Sequence, residues 1–86
     1  MRLMSEKIIY IGNKPLANYL QACYVARQKG IKEVRLVAMG IPILTAINVA
    51  SILQRNGSKI NNILIGCEKK PNYPGYVSTI EITMEI

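Results

Sequence analysis

The sequence predicts a two-layer α+β fold, in which two helices pack on a mixed four-stranded sheet in the order β-α-β-α-β-β. Short runs rich in β-branched residues alternate with two segments of helical periodicity, and each of those segments opens with a proline. The chain ends in a segment that alternates strictly between apolar and polar residues. With 86 residues, we expect a single domain over residues 1–86, and residues 1–6 as a flexible N-terminal segment.

The first strand and the first helix are separated by a short turn. Residues 7–11 are mostly apolar or aromatic and end at Gly12, which is typical of a short buried strand. Asn13 suits a helix cap or a turn, and Pro15 suits a first helical turn, so we expect a helix over residues 15–29. Gly30 then stops the helix. The apolar face of this predicted helix consists of Leu16, Tyr19, Leu20, Cys23 and Ala26.

The middle of the chain predicts a second strand at residues 33–39 and a second helix at residues 42–55. Strand, helix and strand in this order favour parallel pairing of the first two strands. The second helix carries one charged residue, Arg55, and Ile43, Ile47, Ala50 and Leu53 form one apolar stripe along it. Leu44, Val49 and Ile52 lie off that stripe. A helix that is apolar over most of its circumference is covered on more than one side, so we expect a second subunit or a neighbouring helix against it.

The last third of the chain predicts a β-hairpin. Residues 60–68 read as a third strand, and "KKPNYPGY" is a turn-rich loop. From residue 77 onwards the chain alternates, which predicts a half-buried strand that pairs antiparallel with the third. Its core-facing residues are Ile80, Ile82, Met84 and Ile86.

The composition favours a polyanionic partner and argues against an enzyme. Eleven Lys and Arg residues face five Glu, and the chain has no Asp and no His, for a net charge of +6. Such a balance favours binding to phosphates with release of counterions. Without His or Asp the usual acid–base groups and triads are missing, and no GxxxxGK[ST] or GxGxxG motif occurs. We therefore expect no enzymatic activity, no cofactor and no small-molecule substrate.

The two cysteines limit the metal and disulfide chemistry that we expect, and the apolar runs indicate where in the cell the protein lies. Neither Cys23 nor Cys67 belongs to a CxxC pair, and without histidine we expect no metal site. They read as reduced thiols used as small apolar residues, while an intramolecular disulfide stays open as the alternative. No apolar run approaches the roughly 18 residues that span a membrane. The segment "MRLMSEK" lacks the apolar region of a signal peptide, so we expect a cytoplasmic, nucleoid-associated protein with no membrane partner.

Three stretches of the chain together resemble the Alba family of archaeal chromatin proteins. They are "IGNKPLANYL", "QKGIKEVRLVAMG" and "VSTIEI", and their order and spacing also agree over residues 8–86. The resemblance implies an Alba-like fold and a dimer that binds double-stranded DNA and RNA without strong sequence preference. Some members of the family serve as subunits of RNase P-type ribonucleoproteins.

The resemblance places nucleic-acid contacts on the turn after the first strand. Family members carry two lysines there, aimed at the phosphate backbone, and this chain has Asn13 and Lys14. Tyr19 matches a family tyrosine near the binding surface. Asn18 lies beside it as a candidate hydrogen-bond donor to a phosphate. The alternative for Lys14 is a solvated turn charge.

The predicted hairpin matches the family's mobile arm. Lys69 and Lys70 are expected to contact phosphates, although hairpin tips also carry lysines that act only on solubility. Tyr73 and Tyr76 are expected to stack on a splayed base or a ribose, which suits RNA. The alternative is that both tyrosines pack on the base of the hairpin.

The chain departs from the family pattern after the second strand. Family members often have "RGR" there, and this chain has Met39-Gly40-Ile41, with Thr45 where a lysine is frequent. The central basic surface is therefore reduced, which indicates weaker affinity or a protein-contact surface. The primary hypothesis is a sequence-nonspecific DNA/RNA-binding chromatin-type dimer. The alternative is an assembly or ribonucleoprotein subunit that forms a heterodimer with a more basic Alba paralogue.

Overall fold

The computed structural model describes residues 6–86, and its elements confirm the predicted order and types. In chain order they are β1 (Glu6–Ile11), α1 (Leu16–Gln28), β2 (Glu33–Met39), α2 (Ile43–Arg55), β3 (Lys59–Lys69) and β4 (Tyr76–Glu85). Most of the predicted flexible segment, residues 1–5, lies outside the described residues, and its last residue, Glu6, begins β1.

The four strands form one mixed sheet in the order β1-β2-β4-β3. β1 and β2 are parallel, as predicted, and α1 is the crossover connection that such a pair requires. β4 lies between β2 and β3 and is antiparallel to both. β3 and β4 therefore form the predicted hairpin, and β4 joins that hairpin to the parallel pair.

The core lies between one face of the sheet and the two helices. Val34 of β2 is opposite Met84 of β4, and both side chains are fully buried. Every second residue of β2, and of β4 from residue 80 onwards, is likewise buried. The period of two in β4 therefore correctly predicts which of its residues face the core. The helix α1 buries Tyr19, Cys23 and Ala26, which all belong to its predicted apolar face.

The apolar stripe that the sequence shows on α2 coincides only in part with the face that the helix buries. The residues that α2 buries are Ala46, Val49, Ala50 and Leu53. Ile47, placed on the stripe by the sequence, is 44% exposed, and Val49, placed off it, is buried. Because α2 is apolar over most of its circumference, spacing alone does not determine its rotation. The structure places the small side chains of Ala46 and Ala50 inward, which allows a close approach of the helix to the sheet.

The two cysteines are free thiols in different surroundings. Cys23 is buried within α1, and Cys67 is exposed on β3. Burial raises the pKa of the Cys23 thiol to about 11, although the nearby Arg27 guanidinium acts in the opposite direction. A thiol with so high a pKa is almost entirely protonated at neutral pH and behaves as a small apolar side chain. Within residues 6–86, no helix combines the length and the apolar character needed to cross a membrane.

Candidate nucleic-acid interface

Three connections that are distant in sequence meet at one end of the sheet. Ile11 near the end of β1 pairs with Ala38 near the end of β2, so the turns after both strands leave the same edge. β4 begins at this edge and β3 ends there, because both pair in the antiparallel sense. We call this edge the turn end, and it consists of residues 12–15, 40–42 and 69–76.

The turn that carries Lys14 is fixed by a buried phenol. The Tyr19 hydroxyl accepts hydrogen bonds from the backbone N–H of Gly12, at 2.8 Å, and of Lys14, at 3.0 Å. Tyr19 itself is 6% exposed, and it belongs to the core. Asn13 and Lys14 are exposed on top of it. The residue before α1 is Pro15, with no side-chain cap, so Asn13 is a turn residue and not a helix cap.

The hairpin brings the four other predicted contact residues together. Lys69 ends β3 opposite Tyr76, the first residue of β4, and its Nζ lies 5.7 Å from the centroid of the Tyr76 ring. Lys70 and Tyr73 lie in the loop, where the Tyr73 N–H donates to the Lys70 carbonyl at 3.3 Å. All four side chains are exposed, and the exposure of both tyrosine rings argues against packing on the hairpin base.

The predicted site residue Asn18 lies on the flank of α1. It is exposed in the first turn of the helix, where its backbone N–H donates to the Pro15 carbonyl at 3.0 Å. Its side chain lines a groove of about 640 Å³ between α1 and β1, which also contains Lys7 and Lys29. Asn18 therefore lies to the side of the Lys14 turn, away from the hairpin.

The carboxylates lie on the sheet face that the helices leave open, and three of them form a row at the far end. Glu6 is opposite Glu33, and Glu33 is opposite Glu85. In the middle of the same face, Arg35 contacts Glu6 at 3.0 Å and Glu81 at 3.8 Å. Only Glu68, opposite Val77, lies near the turn end. Sequence reasoning missed this arrangement, because these residues come from different strands and only the register brings them together.

The middle connection of the turn end is apolar. Ile41 is 92% exposed, while Met39 and Thr45 are half-buried. The three positions that the sequence singled out as uncharged thus lie at or beside the turn end, between the Lys14 turn and the hairpin. Sequence spacing predicted their place in the chain but not the full exposure of Ile41.

The fold and the turn end define a small α+β protein with a cationic loop edge. Comparison with known proteins gives the family: the sequence model of the Alba family matches residues 7–66, and the chain belongs to that family. The solved structure of Alba from Thermoplasma volcanium superimposes with a TM-score of 0.81 at 28% identity, over 92% of this chain and 99% of that one.

Two curated relatives carry names that state what they bind. DNA/RNA-binding protein Alba 1 of Archaeoglobus fulgidus is 33% identical over 86 aligned positions, which cover 94% of this chain and 97% of the relative. DNA/RNA-binding protein Alba 2 of Methanopyrus kandleri is 41% identical over 54 residues, which cover 63% of this chain. That second match spans 58% of the Methanopyrus protein, a little over half of its length.

The two hydrogen bonds to Tyr19 predict a measurable cost for removing its hydroxyl. Tyr19→Phe leaves the N–H groups of Gly12 and Lys14 without their acceptor. We expect a loss of about 1–2 kcal/mol in the free energy of unfolding, measured in urea. Amide exchange at these two positions should become faster. Tyr10→Phe, at an exposed ring on β1, is the control and should change neither quantity. Unchanged exchange at Gly12 and Lys14 in Tyr19→Phe would contradict this role.

Proposed function

We propose that this chain binds duplex DNA and RNA as a dimer, through phosphate contacts at the turn end and without base-specific readout. The observation that carries the proposal is the convergence of Lys14, Lys69 and Lys70 at one end of the sheet, away from the row of carboxylates. The names of the two curated relatives support the same partners. Binding of this kind fits a chromatin-type protein of the prokaryotic nucleoid.

The distance of the carboxylate row from the turn end is compatible with phosphate binding there. β2 has seven residues, and strands rise about 3.3 Å per residue, so Glu33 lies roughly 20 Å from the turn end. The Debye length at physiological ionic strength is about 8 Å. The distant carboxylates therefore reduce the attraction of Lys14 for phosphates very little. One carboxylate, Glu68, lies near the turn end. At their own end of the sheet the other carboxylates are mixed with cations, among them Lys7, Lys32 and Lys59.

Each predicted residue has a distinct part in this mechanism. Lys14, Lys69 and Lys70 neutralise phosphates, and each one that does so releases a counterion. Tyr19 acts from the core as a positioning residue, because it holds the backbone of the Lys14 turn. These contacts address the backbone and not the base edges, so we expect no base-specific readout.

The neutral residues broaden the range of partners. Asn13 and Asn18 are amide donors for phosphate oxygens on either side of Lys14. Tyr73 and Tyr76 are exposed rings on the hairpin, and they stack on a ribose or on an unpaired base when the partner is RNA.

An uncharged groove between α2 and β3 supports the dimer. The groove has a volume of about 380 Å³, and its lining residues are Ile47, Ala50, Ser51, Gln54, Ile60, Ile63, Ile65, Ile80 and Ile82. Ile65 in this groove is 80% exposed in the isolated chain. Two chains of charge +6 repel each other, so they associate most readily through a surface that carries no charge. The groove is such a surface, and we therefore expect a second copy of the chain to bind there. Dimerisation doubles every contact of the turn end.

The second candidate is an assembly or ribonucleoprotein subunit that pairs with a more basic Alba paralogue. The specific observation in its favour is the apolar connection at residues 39–41, where charged contacts would otherwise be expected. In this case the paralogue would bind in the same groove between α2 and β3. Its own side chains would supply the missing cations. Binding by the pure protein at low salt separates the two candidates.

The salt dependence of duplex binding tests the role of Lys14. Lys14→Ala should bind more weakly, and the slope of log K against log salt should become shallower by about 2 per dimer, since each phosphate contact contributes about 0.9. Lys32→Ala removes the same charge beside β2 at the carboxylate end and is the matched control. It should leave the slope nearly unchanged. Equal slopes for the two variants would contradict binding at the turn end.

Sedimentation of two arginine variants of β3 tests the dimer. Ile65 lines the groove, whereas its neighbour Leu64 is opposite Glu81 on the open face of the sheet. Ile65→Arg buries a charge in the proposed interface, so we expect a monomer at micromolar concentration. Leu64→Arg should remain a dimer. A wild-type monomer, or a dimer that survives Ile65→Arg, would exclude this interface.

A further inference from the structure

The connection between β2 and α2 holds an isoleucine fully outside the protein. Ile41 is 92% exposed, and the backbone on both sides of it is fixed. Gly40 has a φ of 72°, a conformation that favours glycine, and its N–H donates to the Ser78 carbonyl of β4 at 2.9 Å. The Ile43 N–H donates to the Gly40 carbonyl at 3.0 Å. Pro42 removes further freedom, so Ile41 stays exposed without a rearrangement of the turn.

A second apolar side chain stands next to Ile41. Leu44, in the first turn of α2, is 65% exposed, and its N–H donates to the Ile41 carbonyl at 3.4 Å. Two large aliphatic side chains are therefore held in water at one place. Burial of these side chains would stabilise the protein, and their exposure gives up that stabilisation. Exposed apolar side chains that lie together are typical of a contact surface.

The neighbours of this apolar pair are cationic. In the sheet order β1-β2-β4-β3, the connection after β2 lies between the Lys14 turn after β1 and the hairpin of β3 and β4. The hairpin carries Lys69 and Lys70. A protein partner that covered Ile41 would also dehydrate these cations. A duplex nucleic acid would instead place its phosphates against these cations. Ile41 would then face the groove between the two phosphate backbones.

We propose that Ile41 is a wedge that enters between two base pairs of duplex DNA from the minor groove and kinks the duplex there. This inference rests on the proposed function. An apolar side chain that is held by a rigid turn and flanked by phosphate-binding cations is the arrangement by which proteins part a base step. The preferred ligand is DNA that bends at low cost, with a flexible pyrimidine–purine step such as TA at the contact. Ile41 thereby selects deformable duplexes without reading their bases.

Two duplexes of about 20 base pairs, labelled at both ends for energy transfer, test the wedge: one has a central TA step, and the other has a stiff central A-tract. The wild-type protein should bend the TA duplex and bind it about tenfold more tightly than the A-tract duplex. Ile41→Ser should remove most of the bend and of this preference, while the salt slope on the A-tract duplex stays unchanged. Leu64→Ser, at another exposed aliphatic residue, is the control and should behave as wild type.

The outcomes separate the wedge from the binding itself. Lys14→Ala should do the reverse of Ile41→Ser, with a shallower salt slope and an intact preference for the TA duplex. Steep salt-dependent binding with equal bending by wild type and Ile41→Ser would overturn the wedge and leave the proposed function standing. If the wild-type protein bound neither duplex, both proposals would be overturned. A change of assembly size in Ile41→Ser, with DNA binding and bending unaltered, would assign Ile41 to a protein contact and overturn the wedge.

Discussion

Parallel pairing of β1 with β2 is the constraint on which the rest of this molecule depends. Two parallel neighbours must be joined by a crossover, and α1 supplies it. The same pairing places the carboxyl ends of both strands at one edge, so the Lys14 turn and the Ile41 turn leave the sheet side by side. Because β4 runs antiparallel to β2, the hairpin also projects from that edge. Residues separated by more than fifty positions in the chain therefore form one surface.

The charges are arranged along the same axis. Glu6, Glu33 and Glu85 form a row at the end opposite the lysines, although carboxylates directly opposite each other destabilise a sheet slightly. Arg35, in the next row, offsets part of this cost through its contacts with Glu6 and Glu81. The result is a turn end where lysines outnumber carboxylates, and an opposite end where the carboxylates are mixed with cations such as Lys7, Lys32 and Lys59.

Local patterns predicted the elements well, and long-range geometry explains what they missed. The alternation of β4 gave its buried residues correctly, because one covered face and one open face leave a clear period of two. The rotation of α2 was not predictable, since an almost wholly apolar helix has no polar face to orient it. The bonds of the Tyr19 hydroxyl to Gly12 and Lys14 were not predictable, because a buried phenol gives no sequence signal of its acceptor role. The carboxylate row required a strand register that no single segment contains.

Amide chemical-shift mapping of the protein with a short duplex at low salt tests the central claim most directly. We expect the largest shifts to fall on the turn end, at residues 12–15, 40–42 and 69–76, while the amides of Glu33 and Glu85 stay unchanged. The largest shifts at the carboxylate end or along the open face of the sheet would contradict it.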